Sequence, residues 1–315
     1  MESVYIKGLL FFAVTFAFSL TLLWYAKEGV IQGCGKKKMM FVCTTNIIGD
    51  AVSFIAGEYA NVHSLMSSGI DPHTYKAREG DVHRLLKADM LFINGLHLEG
   101  RMHDMFDTLA KKVPVCTVTG CLKNTVLYEP YSGIYDPHVW HDIFLWRKVV
   151  AYIADAIASY DPEHAAYFYS RAQQYDSELE DLAAYSAQRV EQVPIDQRIL
   201  VTAHDAFYYF AKRYNFCVVG LQGISTDAEV TLHDISEAIR LIVYYKVPTI
   251  FLETSVSARS MYAVQEGVTA SGWSVALGKE LYSDSLGSQQ SGAATYSTMM
   301  RHNIDAIIDG LTKNF

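Results

Sequence analysis

The chain has 315 residues, of which 50% are hydrophobic and 19% are charged, and its formal net charge is −8 at pH 7. This length and composition indicate a globular protein with room for two domains and argue against a disordered chain. The negative balance argues against nucleic acid as a partner, because phosphates would be repelled, but it is compatible with cations.

The first segment, residues 1–38, differs from the rest of the chain. Residues 8–25 are almost wholly apolar and follow Lys7, as in a secretory signal, and their number is near the minimum for a membrane-spanning helix. Residues 31–34, Ile-Gln-Gly-Cys, are similar to a bacterial lipobox, in which Cys34 becomes the lipid-modified first residue. Three interpretations of this segment remain open: a lipoprotein signal, an uncleaved N-terminal anchor and an ordinary secretion signal. Each places the remaining chain outside the cytoplasm and excludes residues 1–38 from the fold.

From residue 39 the chain alternates between short apolar runs and amphipathic helical runs. This alternation is typical of βαβ units in a mostly parallel sheet. A long loop rich in Tyr, Gly and Pro precedes the last helix of this part. In chain order we predict strands at 39–43, 62–66, 89–95 and 113–118, and helices at 46–59, with Asn46 as its cap, 79–88, 99–112 and 142–160.

A long helix is predicted next. Asp161 suits the N-cap, Pro162 suits the first helical position, and no helix breaker follows before Pro194. The helix would have about 30 residues and a length of about 45 Å at 1.5 Å per residue. Such a single rigid connection would make a large closure of the two halves costly.

The alternation then resumes to the end of the chain. We predict strands at 198–202, 216–222, 248–253 and 273–277, and helices at 204–214, 233–246, 257–272 and 291–311. The predicted fold is α/β, with two Rossmann-like lobes whose mostly parallel sheets are joined by one long linker helix. The N-terminal lobe would span 39–160, the linker 161–194 and the C-terminal lobe 195–315.

The cysteines beyond the first segment do not suggest a thiolate metal site, because no C-x-x-C pair occurs among them. Cys43, Cys116 and Cys217 lie in apolar, strand-like runs, where buried free thiols are expected. Whether Cys116 and Cys121 form a disulfide remains an open question at this stage.

Three of the 11 histidines stand at or beyond the ends of predicted strands. His73 follows the second strand, His138 lies in the long loop, and His204 follows the strand at 198–202. Ligands of open α/β sheets bind outside the carboxyl ends of strands. His73 and His138 each follow Asp-Pro, and proline restricts the loop, which then loses less entropy when it binds an ion. Surface or satisfied-core roles are expected for His83, His103, His164 and His302.

Asp284 is a fourth candidate, because it follows the last predicted strand at the same edge. Three neutral imidazoles and one carboxylate suit a borderline divalent metal, with two ligands from each lobe. Asp71 and Asp136 are alternative ligands, although we favour the interpretation that they orient their loops. Ordinary turn caps remain the competing interpretation of both Asp-Pro-His stretches.

Two other kinds of function remain as alternatives. A zinc-dependent hydrolase would keep one metal position open, but no H-E-x-x-H motif occurs. Glu253 is the best candidate for its general base, and it suits equally a hydrogen bond to a ligating histidine. A surface adhesin is the third possibility.

Eight stretches, in order, resemble the landmarks of the TroA-type (cluster A-I) solute-binding proteins of bacterial ABC transporters for zinc, manganese or iron. They are DPHTY, ADMLFINGLHLE, DPHVWHD, LVTAHDAFYYFAKRYNF, GLQGIST, PTIFLETS, LYSDSLG and MMRHNIDAI. The similarity covers nearly everything from residue 40 to 315. It implies a metal ion held between two lobes by His73, His138, His204 and Asp284.

The resemblance also implies a transport role without enzymatic activity. The divalent metal ion would be cargo, and the partners would be the permease subunits of an ABC transporter. The protein would be a monomer on the periplasmic or extracytoplasmic face of the membrane, held there by a lipid or apolar anchor. Because protonated imidazole cannot bind a metal, binding is expected to fail in mild acid, near the ordinary histidine pKa of about 6.5.

The sequence departs from the two extremes of this family. Manganese-restricted members tend to replace the third histidine with glutamate, whereas this chain has His204. Zinc-dedicated members often have a long loop rich in histidine and acids before the second ligand, but residues 119–136 contain no histidine and only Glu129 and Asp136 as acids. The identity of the metal, whether zinc, manganese or iron, therefore remains open. His141, just after the second motif, is a further histidine to consider as a ligand.

Overall fold

The computed structural model describes residues 38–122, 128 and 133–312. The predicted signal or anchor segment, with Cys34, lies outside the described residues apart from Lys38. Within the described ranges, no helix combines the length and apolar character that crossing a membrane requires.

A four-stranded parallel sheet with the strand order β2-β1-β3-β4 organises the N-terminal lobe. The inner residues of β1 are buried, as expected for a central parallel strand covered on both faces. The strands are β1 (Met39–Thr45), β2 (Ala60–Met66), β3 (Met90–Ile93) and β4 (Val115–Thr117), and the helices are α1 (Asn46–Ala56), α2 (Glu79–Lys87), α3 (His103–Leu109) and α4 (Ile143–Tyr160).

The predicted long helix is present. It begins with a 3-10 turn at Pro162–His164 and continues as α5 (Ala165–Val190), whose 26 residues span about 39 Å at 1.5 Å per residue. Helix α5 packs against α1 and α4 of the N-terminal lobe. It also packs against the last helix, α9 (Tyr296–Leu311), and therefore contacts elements from both ends of the chain.

The C-terminal lobe contains two parallel strand pairs, β5 with β6 and β7 with β8. The backbone N–H of Phe251 donates to the carbonyl of Val201 at 2.9 Å, which joins the two pairs side by side. The strands are β5 (Ile199–His204), β6 (Cys217–Gln222), β7 (Thr249–Ile250) and β8 (Ala276–Leu277), and the helices before α9 are α6 (Tyr208–Tyr214), α7 (Leu232–Tyr245) and α8 (Arg259–Ala270).

The two lobes share part of their core. The largest buried cluster contains apolar residues of α1, α4, α5 and α9. Within it, the rings of Trp146 and Tyr296 stack with their centroids 5.2 Å apart. A large separation of the lobes would expose this apolar surface to water, which costs about 25 cal/mol of free energy for each square ångström exposed.

Every predicted strand and helix has a counterpart, but some boundaries differ. Helix α1 is capped by Thr45, whose hydroxyl accepts from the Ile48 N–H, so the prediction of Asn46 as the cap was wrong. The Asn46 side chain instead accepts from the Leu286 N–H at 2.9 Å, across the lobe boundary. The helix predicted from 204 begins at Tyr208, since His204 belongs to β5.

The cysteine predictions were correct in part. Cys43 and Cys116 are buried free thiols, and Cys121 is also free, so no disulfide joins Cys116 to Cys121. Cys217 is exposed, because it is the first residue of β6, which pairs only with β5 among the described strands.

Gly220 of β6 packs directly against the end of β5. A Cβ at this position would lie 2.5 Å from the backbone nitrogen of Asp205 and 2.7 Å from the carbonyl carbon of His204. Backbone atoms cannot rotate away, so Gly220→Ala should lower the free energy of unfolding by about 1–3 kcal/mol, as overpacking does. Urea denaturation of the metal-free protein measures this. Gly223→Ala is the matched control, since a Cβ there meets nothing within 4 Å. Equal stability of the two variants would contradict the packing at His204.

Candidate metal centre

Four side chains that are far apart in the sequence meet at the boundary of the two lobes. They are His73, His138, His204 and Asp284, and each offers a ligand atom within 4.8 Å of the others. Their exposed fractions are 3%, 0%, 0% and 1%. The structure thus brings together all four residues that the sequence predicts as ligands, two from each lobe.

The distances between the four groups suit a single ion. His73 Nε2 lies 3.2 Å from His138 Nε2. Asp284 Oδ1 lies 3.4 Å from His138 Nε2, and Asp284 Oδ2 lies 3.5 Å from His204 Nε2. Tetrahedral zinc with bonds of about 2.0–2.1 Å requires about 3.4 Å between neighbouring ligand atoms. The three distances given above are close to this value, and Asp284 can bind through one oxygen or through both.

Two atoms of this cluster lack hydrogen-bond partners within the described structure. They are His204 Nε2 and Asp284 Oδ1, and both are buried. A buried polar atom without a partner costs about 1–3 kcal/mol. A divalent cation would satisfy both atoms, and imidazole with carboxylate is a ligand set that zinc, manganese and iron accept.

The His138 side chain is held by the aspartate of its own Asp-Pro-His turn. Asp136 Oδ1 accepts from the backbone N–H of His138 at 2.9 Å and from its Nδ1–H at 2.7 Å. This fixes the tautomer and leaves Nε2 free to bind a metal. Tyr209 and Asn94 donate to the backbone carbonyls of Asp136 and Pro137, which fixes the loop itself.

The His204 side chain is held in the same way by Glu253. Glu253 Oε1 accepts from the His204 backbone N–H at 2.9 Å, and Oε2 accepts from Nδ1–H at 2.5 Å. Both carboxylate oxygens are therefore engaged. Of the two roles that the sequence left open for Glu253, this geometry matches the hydrogen bond to the histidine and leaves no free oxygen for a general base.

The His73 loop is arranged differently. Asp71 Oδ1 accepts from the backbone N–H of His73 at 2.8 Å, and Oδ2 accepts from the hydroxyls of Thr74 and Thr226. Asp71 and Asp136 thus orient their loops and lie outside the four-residue cluster. Among the described residues, no carboxylate lies within salt-bridge distance of His73 Nδ1.

His141 lies beside the cluster without joining it. Its Nε2 lies 3.0 Å from the carbonyl oxygen of Ser283, and its ring centroid is 4.3 Å from that of Phe207. Burial lowers the pKa of His141 to about 3, so the ring is neutral and donates to this carbonyl. His141 connects the lobes, since Ser283 immediately precedes Asp284.

Ser255 also contacts the cluster, although the sequence analysis did not identify it as a site residue. Its hydroxyl donates to Asp284 Oδ2 at 3.0 Å and orients the carboxylate. Only the position of Ser255 just beyond a predicted strand could have suggested it.

A second, partly exposed group consists of Asp161, Glu163 and His164, in which His164 Nδ1–H donates to Asp161 at 2.7 Å.

Burial and neighbouring charges set the protonation of the metal-free cluster. Burial lowers the pKa of His73 to about 3. Burial also acts to lower the pKa of His138, but Asp136 and Asp284 outweigh it and raise that pKa to about 9. For His204, Glu253 and Asp284 outweigh burial and raise the pKa well above the ordinary value. Burial would raise the pKa of Asp284, but His204 and His138 hold it well below the usual range.

Comparisons with known proteins find relatives that are named for metal binding or uptake. The family model ZnuA, described as the periplasmic component A of a zinc-uptake complex, matches residues 41–310. The manganese-binding lipoprotein MntA of Bacillus subtilis (strain 168) is 38% identical over 290 residues, which cover 89% of this chain and 95% of MntA. The iron-binding protein YfeA of Yersinia pestis is 31% identical over 275 residues, which cover 87% of this chain and 86% of YfeA.

A solved structure has the same fold. The periplasmic zinc-binding protein TroA from Treponema pallidum superposes with a TM-score of 0.86 at 38% sequence identity, over 88% of this chain and 100% of TroA. The α/β architecture with two lobes and one long connecting helix is therefore confirmed.

Metal binding should release protons from this site. His138, with its pKa raised to about 9, is protonated at neutral pH in the metal-free protein, and the ion must displace that proton. The affinity should therefore rise with pH from mild acid at least as far as about 9, a window that extends above the ordinary histidine pKa. Calorimetry in buffers of different ionisation enthalpy should give about one to two protons released per ion at neutral pH.

The variant Glu253→Gln tests the cause of this effect. Loss of the Glu253 charge removes the main attraction that raises the pKa of His204, so fewer protons should be released on binding. An affinity of the wild-type protein that is independent of pH across the window would contradict these protonation states.

Proposed function

The chain belongs to the family of periplasmic zinc-uptake component A proteins, and on this premise we propose that it is an extracytoplasmic solute-binding protein for a divalent transition metal. It captures the ion between its lobes and delivers it to the membrane permease of an ABC transporter. The buried cluster of three imidazoles and one carboxylate is the observation that carries this function. The relatives MntA, TroA and YfeA are named for manganese, zinc and iron, so the cargo is one of these three metals.

We assign the ligands to His73, His138 and His204 through Nε2 and to Asp284 through its carboxylate. Four protein donors around one ion are typical of a closed site, whereas catalytic zinc sites keep one position for water. Glu253 is fully engaged by His204, which removes the best candidate base. A transport role without catalysis therefore fits this site better than a hydrolase. No described feature favours a surface adhesin.

The remaining assignments follow from this role. Residues 39–160 form the N-terminal lobe, 161–194 the linker and 195–315 the C-terminal lobe, and residues 1–38 serve export and anchoring. MntA is named a lipoprotein, which supports Cys34 as the site of lipid attachment in this chain. The protein acts as a monomer on the extracytoplasmic face of the membrane, and its net charge of −8 disfavours nucleic acid as a partner.

Replacement of a ligand should abolish tight binding. His138→Ala and His204→Ala should each weaken the affinity for zinc or manganese by more than about 100-fold, because loss of a ligand exceeds the 10–100-fold cost of losing a residue that only orients one. Calorimetry with chelator competition measures the affinity, and circular dichroism checks that the variants are folded. His83→Ala, on the exposed face of α2, is the control and should bind like the wild type. Unchanged affinity of folded His138→Ala or His204→Ala protein would refute the ligand assignment.

A further inference from the structure

Two consecutive residues of the C-terminal lobe contact two separate segments of the N-terminal lobe. They are Thr226 and Asp227, in the loop that follows β6. The Thr226 hydroxyl donates to Asp71 Oδ2 at 2.6 Å. Asp227 Oδ1 accepts from Nε and Nη2 of Arg101, at 3.1 and 2.5 Å. One short loop therefore connects the lobes at two points.

Asp71 links this connection to the metal centre. While Oδ2 accepts from the C-terminal lobe, Oδ1 accepts from the backbone N–H of His73 at 2.8 Å. Earlier in the same loop, before Asp71, the N–H of Gly69 donates to the hydroxyl of Ser285 at 2.9 Å. Two hydrogen bonds thus connect the segment that precedes His73 to the C-terminal lobe.

The second ligand of the N-terminal lobe is held by contacts of another kind. In the His138 loop, the indole N–H of Trp140 donates to the Ser283 carbonyl at 2.8 Å, and the Tyr209 hydroxyl donates to the Asp136 carbonyl at 2.9 Å. Both aromatic side chains are buried. Breaking these contacts would expose core residues, which is costly.

The contacts of the Thr226–Asp227 loop are more accessible to water. The side chains of Arg101 and Asp227 are 40% and 44% exposed, and ion pairs of this kind stabilise by at most about 1 kcal/mol. The Thr226–Asp227 contacts on the His73 side are therefore more easily broken than the buried contacts on the His138 side.

We propose that Thr226 and Asp227 form an interlobe latch that holds His73 on the bound ion and sets the rate at which the ion leaves. This inference rests on the proposed function, because it takes His73 as a ligand. When the latch opens, the His73 loop moves away from the ion, and the ion remains on His138, His204 and Asp284. Water can then enter the vacated position, and the ion dissociates faster.

Release kinetics test the latch. Zinc-loaded full-length protein is mixed with excess chelator in a stopped-flow instrument, and the association rate is measured separately. Thr226→Val keeps the shape of the side chain but removes the donor to Asp71, so zinc release should be about 10-fold faster, as expected for one hydrogen bond to a charged group. The association rate should stay within about twofold of the wild-type value, since this substitution affects an interaction of the closed state.

Three variants serve as comparisons. Thr226→Ser keeps the hydroxyl and should restore the wild-type release rate. Asp227→Asn weakens the ion pair with Arg101 and should accelerate zinc release. Arg240→Gln is the control, because it breaks an exposed ion pair with Glu237 on α7, away from the lobe boundary, and it should leave the release rate unchanged. A wild-type release rate in Thr226→Val, or a loss of affinity that comes from slower association alone, would overturn the latch and leave the proposed function intact. Failure of the wild-type protein to bind zinc tightly would overturn the proposed function itself.

Discussion

The structure depends on holding four polar groups around one point that water does not reach. Two imidazoles, those of His138 and His204, are each fixed by a carboxylate behind the ring, and both rings face the carboxylate of Asp284. Such an arrangement is stable only if positive charge fills the centre. The raised pKa values of the two rings indicate that protons supply this charge in the metal-free protein, and under the proposed function a bound cation would replace them. Capture of the ion is therefore an exchange of protons for metal.

The rest of the fold keeps this arrangement in place before the ion arrives. Helix α5 packs against both lobes, and the stacked pair of Trp146 and Tyr296 lies in a core that the lobes share. Buried hydrogen bonds hold His138 and His204, which would therefore lose little freedom on binding an ion, and this favours tight capture. The loop of His73 is the exception, since its contacts with the other lobe lie near the surface. Rigid capture and local release can therefore coexist in one molecule.

Much of the fold and the ligand set could be predicted from the sequence. Alternating strand and helix patterns predict the parallel sheets, and carboxyl strand ends collect ligands at one edge, which identified His204 and Asp284. Contacts between the lobes could not be predicted in this way. The pairing of Thr226 with Asp71 and of Asn46 with Leu286 depends on how the lobes meet, and no local pattern encodes it. The raised pKa of His138 was missed for the same reason, because it depends on the distant Asp284 as well as on the nearby Asp136.

Anomalous diffraction from crystals of the metal-loaded protein, recorded at the absorption edge of the bound metal, tests the common centre most directly. We predict one strong peak at the lobe boundary, about 2.0–2.3 Å from Nε2 of His73, His138 and His204 and from a carboxylate oxygen of Asp284. A peak at another place, or one whose ligands include fewer than three of these imidazoles, would contradict the metal centre described above.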